Sequence, residues 1–112
     1  MGTPSATNYS LAYFEDIFGG RNDEFRDLLA IILEMLVFYH SAYPEVARSP
    51  DPEELSQFRH KHVTLIENLQ LARLKQLSIE VASLTGEARE RNITEVQSLV
   101  SHLIEDLRVE LG

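Results

Sequence analysis

The sequence predicts an all-α fold, an antiparallel up-down four-helix bundle with a short additional N-terminal helix. Two observations carry this prediction. Apolar residues recur at steps of three and four along nearly the whole chain, which is the spacing of one helical face. No segment alternates apolar and polar residues in the manner of a strand, and no hairpin turn is recognisable. Four amphipathic helices joined by short connections favour antiparallel neighbours.

The composition of the 112-residue chain narrows its possible partners. Its length argues for one domain, and its hydrophobic content of 44% is enough for a packed core. The net charge of −8 argues against nucleic acid or an anionic membrane as the main partner, because both require a basic surface. The absence of cysteine removes disulfides and thiolate metal sites and allows a reducing compartment. No signal peptide is recognisable, and the most apolar segment, 28–39, is too short to span a bilayer.

The first part of the chain predicts a tail followed by a short helix. Residues 1–8 are small and polar and are expected to be disordered, so that residues 9–112 form the single helical domain. The segment Tyr9–Phe18 carries apolar residues at helical spacing, and Gly19-Gly20 provides a stop.

The next segment predicts the longest and most apolar helix. Asn22 can cap its N-terminus, and the helix is expected to run to about Tyr43 and to stop before Pro44. Between residues 28 and 39, apolar side chains cover most of the circumference. Such a helix is buried on more than one side or offers an apolar patch to a partner.

The segment Pro44–Pro52 is expected to be a loop that leads into the central helix, Glu53–Leu69. Its start is marked by Asp51 as N-cap and by proline at the first helical position. The apolar stripe of this helix includes His62 but not His60, and at about 100° per residue the two rings lie roughly 200° apart. We therefore expect His62 to fill a hydrogen-bonded position facing the core and His60 to face water.

Two more helices complete the predicted bundle. Near Asn68–Gln70 the apolar pattern slips, which indicates a tight break before a fourth helix that ends between Leu84 and Arg89. A capping box at Asn92 or Thr94 is expected to start the last helix.

No metal or cofactor site is predicted. None of the four histidines follows a glutamate at the spacing that di-iron bundles use, and the diverging rings of His60 and His62 cannot share one ion. The chain has no cysteine nucleophile, no GxSxG sequence and no glycine-rich phosphate loop. The serines and threonines are scattered without a convergent His–acid pair, so hydrolytic chemistry is not expected.

His60 has surroundings that suit a phosphoryl group. Arg59 and Lys61 flank it with positive charge. Four neighbours are expected to project from roughly the same side of the helix: Gln57, Val63, Thr64 and Glu67. An exposed neutral imidazole with local donors can be reached by another protein's acyl phosphate, and no neighbouring residue is able to hydrolyse the product.

Around this histidine the chain resembles the histidine-containing phosphotransfer (HPt) domains. The family motif is His-x-hydrophobic-Lys-Gly-x-x-x-x-x-Gly, with a Leu four residues further on. Its acceptor, buried hydrophobic, Lys, first Gly, second Gly and Leu positions fall on His60, His62, Val63, Thr64, Gln70 and Leu74. Arg59 stands where the family prefers Ala. The opening of the chain also resembles the family, with a short helix, a glycine turn and a long first bundle helix.

The resemblance implies a phosphorelay intermediate of a bacterial two-component system. His60 would accept a phosphoryl group from a receiver-domain aspartate and pass it to another receiver. The partners would be response-regulator receiver domains, a hybrid histidine kinase, or both. The HPt domain itself would need no cofactor and have no kinase activity, because the receiver and its Mg²⁺ supply most of the catalysis. A cytoplasmic location follows from the same resemblance.

Two alternatives remain open at the level of sequence. Because Val63 and Thr64 replace the family's Lys and Gly, the chain could be a degenerate HPt-like module that binds receivers or kinases without carrying phosphate. The wide apolar surface of residues 28–39 instead motivates a plain helical interaction domain, including a homodimer.

Overall fold

The computed structural model describes residues 9–112, and the predicted tail, residues 1–8, lies outside the described part. Over the described residues it has five α-helices, one 3-10 turn and no strand, so the all-α prediction is confirmed. The helices, in chain order, are α1 (Ala12–Phe18), α2 (Asp23–Arg48), α3 (Pro52–Asn68), α4 (Ala72–Glu80) and α5 (Gly86–Leu111). The 3-10 turn, Val81–Ser83, continues from the end of α4.

The two longest helices, α2 and α5, lie side by side and run in opposite directions. Arg48 at the end of α2 pairs with Glu90 near the start of α5. At the other end, Arg21, which precedes α2, pairs with Glu110 in the last turn of α5. These ion pairs are exposed, so burial of apolar side chains between the helices supplies most of the stability.

The other helices also pack against antiparallel neighbours. Phe58 of α3 packs against Tyr43 of α2, and His62, one turn further along α3, packs against Phe38, more than one turn nearer the start of α2. The two helices therefore run in opposite directions. Arg73 of α4 pairs with Glu95 of α5. The core between the helices is apolar and includes Leu29, Leu36, Leu69, Val96, Val100, Leu103 and Leu107, all of which are buried.

Helix α2 continues through Pro44 to Arg48, so the predicted stop at Tyr43 and the loop over 44–48 are wrong. Proline has no N–H and therefore leaves the carbonyl four residues earlier, that of His40, without its helical partner. In the structure, Nε2 of Gln97 on α5 donates to that carbonyl at 3.3 Å. Within the extra turn, Ala47 is buried.

The boundary between the fourth and fifth helices also differs from the prediction. Gly86 begins α5 instead of ending α4, and Asn92 lies buried within α5. Asn92 therefore does not cap α5. Its side chain instead binds residues of two neighbouring helices. The Tyr43 hydroxyl donates to Asn92 Oδ1 at 2.7 Å, and Asn92 Nδ2 donates to the Leu77 carbonyl at 2.9 Å.

Several predicted helix ends are confirmed. Asn22 Oδ1 accepts a hydrogen bond from the backbone N–H of Phe25 at 2.9 Å, and Asp51 Oδ1 accepts one from Glu53 at 3.0 Å. Gly19 ends α1 in the left-handed conformation with φ 70°. The first helix starts at Ala12, three residues later than the sequence predicts.

Part of the apolar surface of α2 remains exposed. Ile31, Val37 and Phe38 have relative exposures of 52%, 40% and 51%. The wide apolar stripe of α2 predicted either burial on more than one side or an apolar patch at the surface. At these three residues the patch is what the structure shows. No helix within residues 9–112 combines the length and the apolar character that crossing a membrane requires.

The tight break between α3 and α4 is confirmed, and it forces Gln70 into a left-handed conformation. Its φ is 58°, the only positive φ of a residue other than glycine within residues 9–112. The N–H of Leu71 closes the turn on the Ile66 carbonyl at 3.0 Å. The left-handed conformation costs residues with a Cβ about 1–2 kcal/mol.

Replacing Gln70 with glycine is expected to raise the free energy of unfolding by about 0.5–1 kcal/mol. Relief of the Cβ contact outweighs the greater freedom of glycine in the unfolded chain. Urea denaturation followed by circular dichroism measures the change. Gln76→Gly, in the exposed middle of α4, is the control and is expected to lower stability by about 1 kcal/mol. Equal destabilisation by both glycines would show that the Gln70 backbone is unstrained.

Candidate functional site

Helix α3 turns its two histidines in opposite directions. Its buried positions are Leu55, Phe58, His62 and Ile66, at steps of three and four. His62 is 2% exposed, whereas His60 lies on the exposed face of the same helix. The orientation predicted from the spacing is therefore confirmed.

His62 is held in an aromatic cluster between α2 and α3. Its Nδ1 lies 2.8 Å from the Phe58 carbonyl oxygen, which can only accept, so Nδ1 carries the proton. The ring centroid lies 4.5 Å from that of Phe58 and 5.1 Å from that of Tyr39. Burial lowers the pKa of His62, the bond to the Phe58 carbonyl opposes this, and nearby Lys61 lowers it further. The neutral ring therefore serves the fold.

His60 lies at a groove of about 420 Å³ between α3 and α4, which we call the α3–α4 groove. Its walls are lined by Ser56, Arg59, His60, Val63, Ile66 and Glu67 of α3, and by Lys75, Ser78 and Ile79 of α4. An exposed imidazole beside a groove with basic and hydroxyl side chains can receive an anionic group that enters from solvent.

The structure brings together only some of the residues predicted to surround His60. Arg59, Val63 and Glu67 line the α3–α4 groove with it, whereas Gln57 and Thr64 are exposed and lie outside the lining. At about 100° per residue, Val63 and Glu67 lie on one side of His60, and Gln57 and Thr64 lie on the other. The first side faces α4, which explains the division.

Lys61 points away from the groove toward α2. Its Nζ lies 5.1 Å from the centroid of the Phe38 ring, within range of a cation–π contact. Lys61 and Arg59 thus flank His60 from opposite sides of α3, one beside the exposed ring of Phe38 and the other in the groove.

The sequence did not predict the contribution of α4 to the site. Lys75 Nζ lies 2.6 Å from Glu67 Oε2, so this ion pair bridges the groove. The two residues are equally far from Leu71, which follows the tight turn. In an antiparallel helix pair, residues equidistant from the turn lie opposite each other, so the predicted break could have identified Lys75.

Most basic side chains of this acidic protein are paired with carboxylates. Within residues 9–112, those without a carboxylate oxygen within 4 Å are Arg26, Arg59, Lys61 and Arg108. Arg26 donates instead to backbone carbonyls near the end of α5. Two of the four flank His60, so uncompensated positive charge is concentrated at this histidine.

The Tyr39 hydroxyl is buried in the core next to the aromatic cluster of His62. Tyr39 is 2% exposed, and its ring centroid lies 5.1 Å from that of His62. Burial raises the pKa of Tyr39 and Tyr43 raises it further, whereas the Ser78 hydroxyl and the charge of Arg59 oppose this rise.

A separate Ser–His contact joins α2 and α5. Ser101 Oγ and His40 Nε2 lie 3.0 Å apart, a convergence that the sequence did not reveal. Gln97 binds the backbone carbonyl of the same histidine, so this contact is part of the α2–α5 packing.

No group of three or more histidine or acidic side chains within residues 9–112 is arranged to hold a metal ion. No protein-family model, curated protein or solved structure matches the chain. The function is therefore inferred from the geometry around His60 and from the family resemblance.

Proposed function

We propose that this protein is an HPt-like phosphorelay intermediate of the cytoplasm, with α2–α5 as its antiparallel four-helix bundle and α1 as the additional helix. The observation that carries the proposal is the exposed ring of His60 beside the α3–α4 groove, with Arg59 and Lys61 unpaired on either side. His60 accepts a phosphoryl group from the aspartate of one receiver domain and delivers it to the aspartate of another.

The backbone at Gln70 supports the resemblance on independent grounds. The family motif has its second glycine at this position. In this chain, Gln70 has φ 58°, the left-handed conformation that glycine adopts most easily. The buried position of His62, where the family has a hydrophobic residue, supports the same alignment.

The proposed transfer is a displacement at phosphorus. The lone pair on the unprotonated ring nitrogen of His60 attacks the phosphorus of an aspartyl phosphate. The N–P bond forms while the P–O bond to aspartate breaks, and the electron pair leaves with the carboxylate. The other ring nitrogen can then lose its proton to water. The reverse displacement by a second receiver's aspartate removes the phosphoryl group, with the receivers' Mg²⁺ offsetting its charge.

A second candidate is a module that docks onto receivers or onto another copy of itself without carrying phosphate. Two observations favour it. Val63 lines the groove where the family has a lysine, and the apolar patch of Ile31, Val37 and Phe38 is exposed on α2. This module would bind equally well with His60 replaced.

The proposal is tested by incubating the protein with receiver domains phosphorylated on aspartate. Wild type is expected to acquire an acid-labile, alkali-stable phosphoryl group, and His60→Gln is expected to acquire none. His102→Gln, which alters an exposed histidine on α5, is the matched control and is expected to behave as wild type. Label that persists in His60→Gln would rule out the relay role of this residue. Receiver binding without label would favour the docking module.

A further inference from the structure

We propose that Arg59 holds the phosphoryl group of phosphorylated His60 in the α3–α4 groove, as the cationic partner that Val63 cannot provide. This inference rests on the proposed phosphotransfer, because it concerns the phosphorylated state of the same histidine. The class of ligand is a phosphoryl or phosphate dianion.

The first argument is the unsatisfied charge of Arg59. Its side chain is half-buried and lines the groove, yet no carboxylate oxygen lies within 4 Å of it in residues 9–112. The chain has 18 acidic residues, and other exposed arginines, such as Arg48 and Arg73, are paired with glutamates. A partly desolvated guanidinium without a carboxylate partner is suited to bind an anion that the protein itself lacks.

The second argument is elimination among the cations near the groove. Lys61 lies on the opposite side of His60 and packs over the Phe38 ring. Lys75 is engaged by Glu67 at 2.6 Å. Arg59 is adjacent to His60 in the chain, and both side chains line the groove.

The test separates Arg59 from general positive charge. His60 is phosphorylated with phosphoramidate, which needs no receiver, and the ³¹P shift of the phosphoryl group is followed against pH. Arg59→Met is expected to raise the midpoint of its second ionisation by about one pH unit, because the nearby guanidinium favours the dianion. Lys61→Met removes the same charge at the same sequence distance and is expected to raise the midpoint by less than half as much. Arg59→Lys is expected to restore part of the shift.

A second measurement uses the unphosphorylated protein. Titration with inorganic phosphate is expected to give saturable NMR shifts in groove residues, with affinity about fivefold weaker in Arg59→Met. Phosphate binding that does not depend on Arg59, or equal effects of Arg59→Met and Lys61→Met, would overturn the inference while leaving phosphotransfer intact. Conversely, Arg59-dependent phosphate binding without any transfer from receivers would remove the proposed function and retain the anion site.

Discussion

Replacing Asn92 with alanine is expected to lower the free energy of unfolding by about 2–4 kcal/mol. Asn92 is 4% exposed, and its side chain joins α5 to α2 through Tyr43 and to α4 through Leu77. Alanine leaves the buried Tyr43 hydroxyl without its acceptor, which costs about 1–3 kcal/mol, and removes one of two donors from the Leu77 carbonyl, which keeps its bond from the Val81 N–H. Urea denaturation, with circular dichroism as the signal, measures the loss.

A double-mutant cycle with Tyr43→Phe identifies the source of this loss. Tyr43→Phe removes one donor, and in its background Asn92→Ala no longer leaves an unpaired hydroxyl. The two substitutions together are therefore expected to cost less than the sum of their separate effects. Strict additivity would mean that the 2.7 Å contact contributes nothing specific.

Replacing His62 with alanine is expected to cost about 2–4 kcal/mol, because it opens a cavity in the aromatic cluster of Phe58 and Tyr39. His62→Leu is the matched variant that fills most of the space, and we expect it to retain most of the stability. A large loss in His62→Leu would indicate that the bond from Nδ1 to the Phe58 carbonyl matters more than the volume of the ring.

The same residue is expected to make stability depend on pH. Burial is the largest cause of the lowered pKa of His62, so the unfolded chain binds a proton more readily than the folded one. The contribution of neutral His62 is present above the unfolded pKa, near 6.5, and is lost as pH falls from there toward the lowered folded pKa. Denaturation midpoints at a series of pH values are expected to fall in this window for wild type and to change less for His62→Leu. Parallel profiles would exclude His62 as the titrating group.

The sequence predicted those features that depend on local chemistry. The caps at Asn22 and Asp51, the break near Gln70 and the opposite orientations of His60 and His62 all follow from a few neighbouring residues. Each is determined by the chain within one or two helical turns, which is the range over which spacing and capping rules apply.

The wrong predictions concern residues satisfied by distant partners. Pro44 remains inside α2 because Gln97, far along the chain, donates to the carbonyl that proline leaves unpaired. Asn92 resembled a helix cap, but its amide is used by two other helices. Rules based on neighbouring residues pair a polar side chain with the backbone of its own helix, because a partner on another helix is not visible in the sequence.

The candidate site was predicted along one helix and completed by others. His60, Arg59 and Glu67 were found because they share α3. Lys75 and Ser78 come from α4, and their proximity to His60 depends on how the helices pack. The exposure of Phe38 similarly became visible only when the neighbours of α2 were known.

The unpaired cations beside His60 also influence how an acidic partner meets this molecule. With a net charge of −8, most of the surface repels such a partner at long range, and physiological salt screens that repulsion beyond about 8 Å. At closer range, the unpaired Arg59 and Lys61 attract such a partner to the face around His60. Orientation is then selected during diffusional encounter, before any apolar contact forms, and collisions elsewhere on the surface separate quickly.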